Sequence, residues 1–220
     1  MIRLCVFDLD GTVMDTLDSI AYFVNHTMTK MGFKKIETEK FKYFAGDGRA
    51  ALIHRSLDFV GEDTVENFEL ATKYYDEAYE GNFMHLTKPF DGIREELEKL
   101  KDAGVVITVL SNKPHNVAKA VIEETFGADF FAYVAGQMDE VPKKPDPSGF
   151  IRIAEKFGIS CNECMMVGDT NVDMLTGANA GAHSLGVLWG FRPRTELEEN
   201  GAEVIVEDVS KLSDAIISFE

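Results

Sequence analysis

The sequence predicts an α/β fold, a parallel sheet with helices on both faces and an all-helical segment inserted after the first strand. Three observations carry this expectation. Short, unbroken apolar runs alternate with amphipathic segments of helical period along most of the chain. The connections between them are short, which favours a parallel sheet covered on both sides. Residues 16–83 break the alternation, showing helical periodicity and no convincing strand.

In chain order, the first strand is Arg3 to Phe7, apolar and without a helical period. Helical spacing then governs "LDSIAYFVNHTMTKMGF", "RAALIHRSLDFV" and "ENFELATKYYDEAYEGNF", with breaks at Gly32, Gly46, Gly48 and Gly61. After "TKPFDG" the alternation returns. "GIREELEKLKDAG" is an amphipathic helix stopped at Gly104. "VVITVL" (105–110) has the branched, unbroken character of a buried strand. The helix "PHNVAKAVIEETFG", the strand "FFAYVAG", the helix "PSGFIRIAEKFG" and the strand "MMVG" follow. The helix "VDMLTGANAG" and the strands "HSLGVLWG" and "EVIVE" complete the series. The expected domains are therefore a discontinuous core of residues 1–15 and 84–220, and an inserted helical cap of residues 16–83.

Composition narrows the function. With 38 acidic and 22 basic side chains the 220-residue chain carries a formal charge of −16. That opposes non-specific binding to nucleic acid and to anionic membranes, which need clustered positive charge. No apolar run is long enough to span a bilayer. "MIRLCVFDLD" lacks the basic start, apolar stretch and cleavage site of a secretory signal, so the expected location is cytoplasmic. Three cysteines, Cys5, Cys161 and Cys164, cannot form a disulfide framework in a chain of this length. The Cys161–Cys164 spacing lacks the second ligand pair a structural zinc site needs. His115 and His183 read as ordinary packing or surface residues.

Ligands of open parallel sheets bind beyond the carboxyl ends of the strands, so the polar residues following each apolar run are the candidates. The first strand ends in Asp8-Leu9-Asp10-Gly11-Thr12, and "VVITVL" ends in Ser111-Asn112-Lys113. Lys143 and Lys144 precede Pro145-Asp146-Pro147, and "MMVG" runs into Asp169-Thr170-Asn171-Val172-Asp173. Four distant segments thus bring carboxylates, a hydroxyl and a lysine to one sheet edge. Ser111 and Asn112 could also cap the helix that follows, and Asp173 could be a carboxylate favoured by a helix dipole.

These four segments, "DLDGT", the serine of "LSNK", the lysine before "PDP" and "GDTNVD", occur in the order found in the haloacid-dehalogenase-like phosphohydrolases. The resemblance runs nearly end to end, and within the family it is greatest to the phosphoglycolate phosphatase-like branch, which carries a small helical cap. It implies a Rossmann-like core and Mg²⁺-dependent hydrolysis of a small phosphate monoester. Asp8 would be the nucleophile and Asp10 the general acid and base. Ser111 would donate to the transferring phosphoryl group and Lys144 neutralise it, with Lys143 a weaker alternative to Lys144. Asp8, Asp169 and the backbone carbonyl of Asp10 would hold the metal, and Asp173 would orient that shell or touch the ion. Backbone amides following Asp8, at Gly11 and Thr12, and at Asn112 would help cradle the phosphate, and Arg49, in "FAGDGRAAL", would bind an anionic part of the substrate.

The chemistry agrees with these residue types. A phosphate dianion repels an anionic nucleophile, so a divalent cation must bridge them, and hard Mg²⁺ prefers carboxylate, carbonyl and water oxygens. An acid at Asp10 argues against a C–halogen hydrolase, whose leaving group needs no proton. A β-phosphoglucomutase-like mutase, an inorganic pyrophosphatase and a non-catalytic ligand-binding regulator are the alternatives on the same core. The expected partner is a small phosphorylated metabolite, met by a monomer or homodimer, with cap closure excluding water and macromolecules.

Overall fold

The computed structural model describes residues 1–219. The chain opens with β1 (Leu4–Phe7) and a two-residue strand β2 (Met14–Asp15), then enters helices α1 (Leu17–Lys30), α2 (Phe41–Phe44), α3 (Arg49–Val60) and α4 (Val65–Tyr79). The strand β3 (Lys88–Pro89), paired with β2, is followed by α5 (Ile93–Asp102), β4 (Val106–Pro114), α6 (His115–Phe126) and β5 (Tyr133–Gln137). Then come α7 (Ser148–Phe157), β6 (Cys164–Gly168), α8 (Asn171–Ala180), β7 (His183–Val187), α9 (Arg194–Glu199), β8 (Val204–Val206) and α10 (Leu212–Ile217).

The larger sheet has the order β5-β4-β1-β6-β7-β8, and every pairing in it is parallel. β1 lies at its centre, with Leu4 opposite Val106 on one side and Cys164 on the other. All four of its side chains, from Leu4 to Phe7, are fully buried. Such a strand cannot alternate apolar with polar, because both of its faces meet helices. One face packs Leu4, Val6 and Met166 against Phe150, Ile153 and Ala154 of α7. On α5, the buried Glu96 accepts from the Ser213 amide (2.9 Å) and hydroxyl (2.6 Å), which ties α10 to α5.

The chain divides into two compact units, Met1–Asp15 with Pro89–Glu220, and Thr16–Lys88. The boundary falls at 88/89 rather than at the expected 83/84, because residues 84–88 belong with the helices. In the helical unit α1 packs on α4 through Phe23, whose ring meets Tyr75 and Tyr79 edge-on. Thr64 caps α4 by accepting from the Asn67 amide at 3.2 Å.

Three elements differ from the sequence reading. β4 does not stop at Leu110 but runs to Pro114, with a register shift against β5 between those residues. Ser111 and Asn112 therefore finish a strand and do not cap α6, whose N-cap position is Pro114. β5 starts later than the apolar run, and Phe130 and Phe131 pack their rings against Phe126, the first tilted and the second edge-on. β7 ends at Val187, and residues 188–191 turn back toward β1.

Candidate active site

From β1 the chain passes to β4 and β5 on one side of the sheet, and from β6 to β7 and β8 on the other. The reversal falls between β1 and β6, where an open sheet leaves a crevice beyond its carboxyl ends. Asp8 follows β1 and Asp169 follows β6, so this topology alone sets two carboxylates on adjacent strand ends. The Asp8 amide extends the ladder by donating to the Val167 carbonyl at 2.8 Å.

A tight turn follows Asp8. The Leu9 carbonyl accepts from the amides of Val13 (3.1 Å) and Met14 (2.9 Å), and the Gly11 amide donates to the Met14 carbonyl (2.8 Å). Gly11 has φ +85° and faces Asp169 so closely that a Cβ would collide with the carboxylate. Gly190, from the segment after β7, closes on Asp169 and on the Gly11 carbonyl from the other side. The enclosed Asp169 accepts from the Thr12 hydroxyl (2.9 Å) and from the Phe191 amide (2.8 Å). The Trp189 indole N–H donates to the Thr12 carbonyl at 3.0 Å, which joins this segment to the first turn.

Asp173 sits in the first turn of α8 as part of a capping box with Thr170. Its Oδ2 accepts from the Thr170 amide (3.0 Å) and hydroxyl (2.8 Å), and its Oδ1 accepts from Lys144 Nζ (2.6 Å). Lys144 Nζ is also 2.9 Å from Asp8 Oδ1. The lysine backbone is held by Asn112, which accepts from the Lys144 amide (2.9 Å) and donates to its carbonyl (3.0 Å). A long flexible side chain is thus fixed at both its root and its tip.

Asp8, Asp169 and Asp173 are buried, and each offers an oxygen within 4.8 Å of the others. Burial pushes the Asp8 carboxyl up to about 7, with Lys144 opposing and Asp173 and Asp10 adding to the rise. Asp169 is raised well above the usual carboxylate range by burial, then by the charges of Asp173 and Asp8. Burial works against the charge on Lys144, but the facing Asp173 and Asp8 outweigh it and hold the ammonium above its ordinary value. With all three carboxyls ionised, three carboxylates against one ammonium leave two negative charges among buried hard oxygen donors. That surplus fits a divalent cation such as Mg²⁺. Asp173 Oδ1 faces the Lys144 ammonium and its Oδ2 takes two donors of the capping box, whereas each Asp169 oxygen accepts from one neutral donor, so Asp173 suits orienting the set and Asp8 and Asp169 are the pair suited to direct contact.

Asp10 stands apart from this cluster. Both of its oxygens are 2.9 Å from Lys113 Nζ, in a pair whose side chains are only 19% and 10% exposed. Ser111 is buried at the end of β4, and its hydroxyl oxygen accepts from the Lys113 amide at 3.2 Å.

The structure therefore brings Asp8, Lys144, Asp169 and Asp173 together and gives several other residues different work. The Gly11 amide donates within the turn, and the Thr12 hydroxyl serves Asp169. The Asn112 side chain clamps Lys144. Arg49 opens α3 and pairs with Asp76 of α4, inside the helical unit. Lys143 is exposed and Lys144 buried, which separates two neighbours that spacing left ambiguous. Neither Cys161 nor Cys164 belongs to a metal-ligating group among the described residues. His115 accepts from the Gly136 amide (3.2 Å) and His183 pairs with Glu203 (3.0 Å). Sequence reasoning missed Lys113, Thr170 and the 189–191 segment. Lys113 was within reach, as the lysine of "LSNK" next to Ser111 and Asn112.

Residues 5–187 match the family model of the haloacid dehalogenase-like hydrolases, and the chain belongs to that family. Its relatives include a phosphoglycolate phosphatase of Pseudomonas fluorescens, 29% identical over 214 residues that cover 96% of this chain and 78% of that one. A phosphoglycolate phosphatase of Vibrio cholerae is 28% identical over 220 residues, covering 98% and 97%. Among solved structures, the chain matches a provisionally assigned phosphoglycolate phosphatase of Lactobacillus delbrueckii subsp. bulgaricus with a TM-score of 0.93, at 26% identity and 99% coverage of both chains. Among the described residues no helix is long and apolar enough to cross a membrane.

Proposed function

We propose that this protein is a Mg²⁺-dependent phosphatase that hydrolyses a small phosphate monoester through an aspartyl-phosphate on Asp8, with phosphoglycolate the leading substrate. The observation that carries this reading is the buried cluster of Asp8, Asp169 and Asp173 around Lys144, with its two uncompensated charges. The names of the relatives support the substrate class.

Asp8 and Asp169 would hold the ion, with the Asp10 carbonyl as a third oxygen and Asp173 fixing the arrangement through Lys144 and Thr170. Bound there, Mg²⁺ supplies positive charge that lets a phosphate dianion approach an anionic nucleophile. An Asp8 oxygen attacks phosphorus, the ester P–O bond breaks, and its electron pair leaves on the alcohol oxygen, which takes a proton from Asp10. Water then bonds to phosphorus and returns a proton to Asp10 as the bond from phosphorus to Asp8 breaks. Both carboxyl groups are thereby restored. Lys144 keeps the Asp8 oxygen in place and balances charge on the transferring group, and the Ser111 hydroxyl donates to it.

A panel of phosphorylated metabolites that includes pyrophosphate and hexose phosphates, assayed for released phosphate with and without EDTA, tests this. The expected result is Mg²⁺-dependent release from small monoesters, phosphoglycolate foremost, abolished by EDTA. Isomer formation without phosphate release, or release from pyrophosphate alone, would replace the reading with a mutase or a pyrophosphatase.

A further inference from the structure

We infer that Lys113 is a specificity-determining residue that selects esters whose phosphorylated carbon also carries a carboxylate. The inference rests on the proposed phosphatase reading and names the substrate class of that same site.

In that reading the leaving oxygen lies against the Asp10 carboxyl. Lys113 Nζ is 2.9 Å from both Asp10 oxygens, so any group that hydrogen-bonds to this carboxyl meets the ammonium as a neighbour. An ester oxygen hydrogen-bonded to Asp10 at about 2.7 Å thus lies beside the ammonium. A carboxylate on the adjoining carbon brings its own oxygens about 3 Å from that ester oxygen, close enough for Lys113 to bridge both anions. A neutral substituent gives the ammonium nothing, and a carboxylate one carbon further out overshoots it.

The other buried lysine of the site cannot take this role. Lys144 is committed to Asp8 and Asp173 and is fixed at its backbone by Asn112. Lys113 is also held at its root, because its amide donates to the Ser111 hydroxyl oxygen at 3.2 Å and β4 extends through it. Its side chain is 10% exposed, so a carboxylate meeting it would be largely removed from water, where a charged hydrogen bond discriminates strongly.

The test compares kcat/KM for phosphoglycolate and 2-hydroxyethyl phosphate in the wild type, Lys113→Ala and Lys113→Arg. Both substrates leave as alkoxides of similar size, so only the carboxylate differs. The wild type should prefer phosphoglycolate by about tenfold or more, mostly through KM, and Lys113→Ala should bring the ratio close to one. Lys113→Arg should restore much of the preference, and glycolate should inhibit the wild type more strongly than the alanine variant. If Lys113→Ala slows both substrates equally and keeps the ratio, Lys113 acts only through Asp10 and the inference is overturned. A wild type that uses both esters equally overturns the inference while leaving the phosphatase reading intact. A wild type that releases phosphate from neither ester overturns both.

Discussion

Two carboxylate–ammonium groupings stand at the same sheet edge and are built to opposite ends. Asp10 and Lys113 form a balanced pair, one charge to one, with part of each side chain reaching solvent. Lys144 instead faces two of three carboxylates in a volume from which water is almost wholly excluded. Residue type is the same in both, and what differs is the charge left over. A balanced pair holds a side chain in position, whereas an unbalanced buried cluster stores repulsion that a cation relieves. The second kind is costly to the fold, and a bound cation would relieve that cost.

The largest way to break the contrast is Asp8→Asn. Turnover should fall by about 10⁴-fold or more, with circular dichroism and thermal unfolding close to wild type. Retained activity in that variant would remove the nucleophile from the account.

Lysine replacement separates the two groupings next. Lys144→Ala, measured by denaturant unfolding in EDTA, should cost about 3 kcal/mol, because two buried carboxylates lose their partner. Lys113→Ala should cost less, about 1–2 kcal/mol, since it strands one carboxylate that keeps a partial outlet to water rather than two enclosed ones. Equal losses would mean that the surplus charge has no energetic reality.

The pH dependence follows from the raised carboxyls. A group whose folded pKa is raised binds its proton more tightly in the native state, so its stabilising effect disappears as pH rises through the folded value. Metal-free protein should therefore lose stability between pH 3.8 and about 7, the window set by Asp8, with Asp169 acting in the same direction. Mg²⁺ should raise the melting temperature more at pH 8 than at pH 5. A shift of equal size at both would contradict it.

The smallest change is Thr12→Val. Losing one donor to Asp169 should weaken Mg²⁺ about tenfold while leaving the metal-free fold in place. Trp189 is the only tryptophan in the chain and donates to the Thr12 carbonyl, so its fluorescence during a Mg²⁺ titration reads the change.

Most of the sheet and the composition of the buried cluster were legible in the sequence, for a physical reason. Apolar runs mark strands buried on both faces, and a polar residue just after such a run has only the carboxyl edge to occupy. Asp8 and Asp169 were found that way. Spacing cannot show what a polar group is already bonded to. The side chains of Thr12 and Asn112 serve Asp169 and Lys144, partners more than thirty residues away that no local pattern names. The apolar run "HSLGVLWG" predicts a strand that carries on through Trp189 and Gly190. Only the fold shows that it turns back, bringing Gly190 and the Phe191 amide against Asp169.

Isothermal titration of Mg²⁺ into wild type and Asp169→Asn at pH 7.5 puts the shared ion to the most direct test. We expect one Mg²⁺ per wild-type chain and no measurable heat from the variant. Undiminished binding in Asp169→Asn, or none in the wild type, would show that these carboxylates meet for some purpose other than holding a metal.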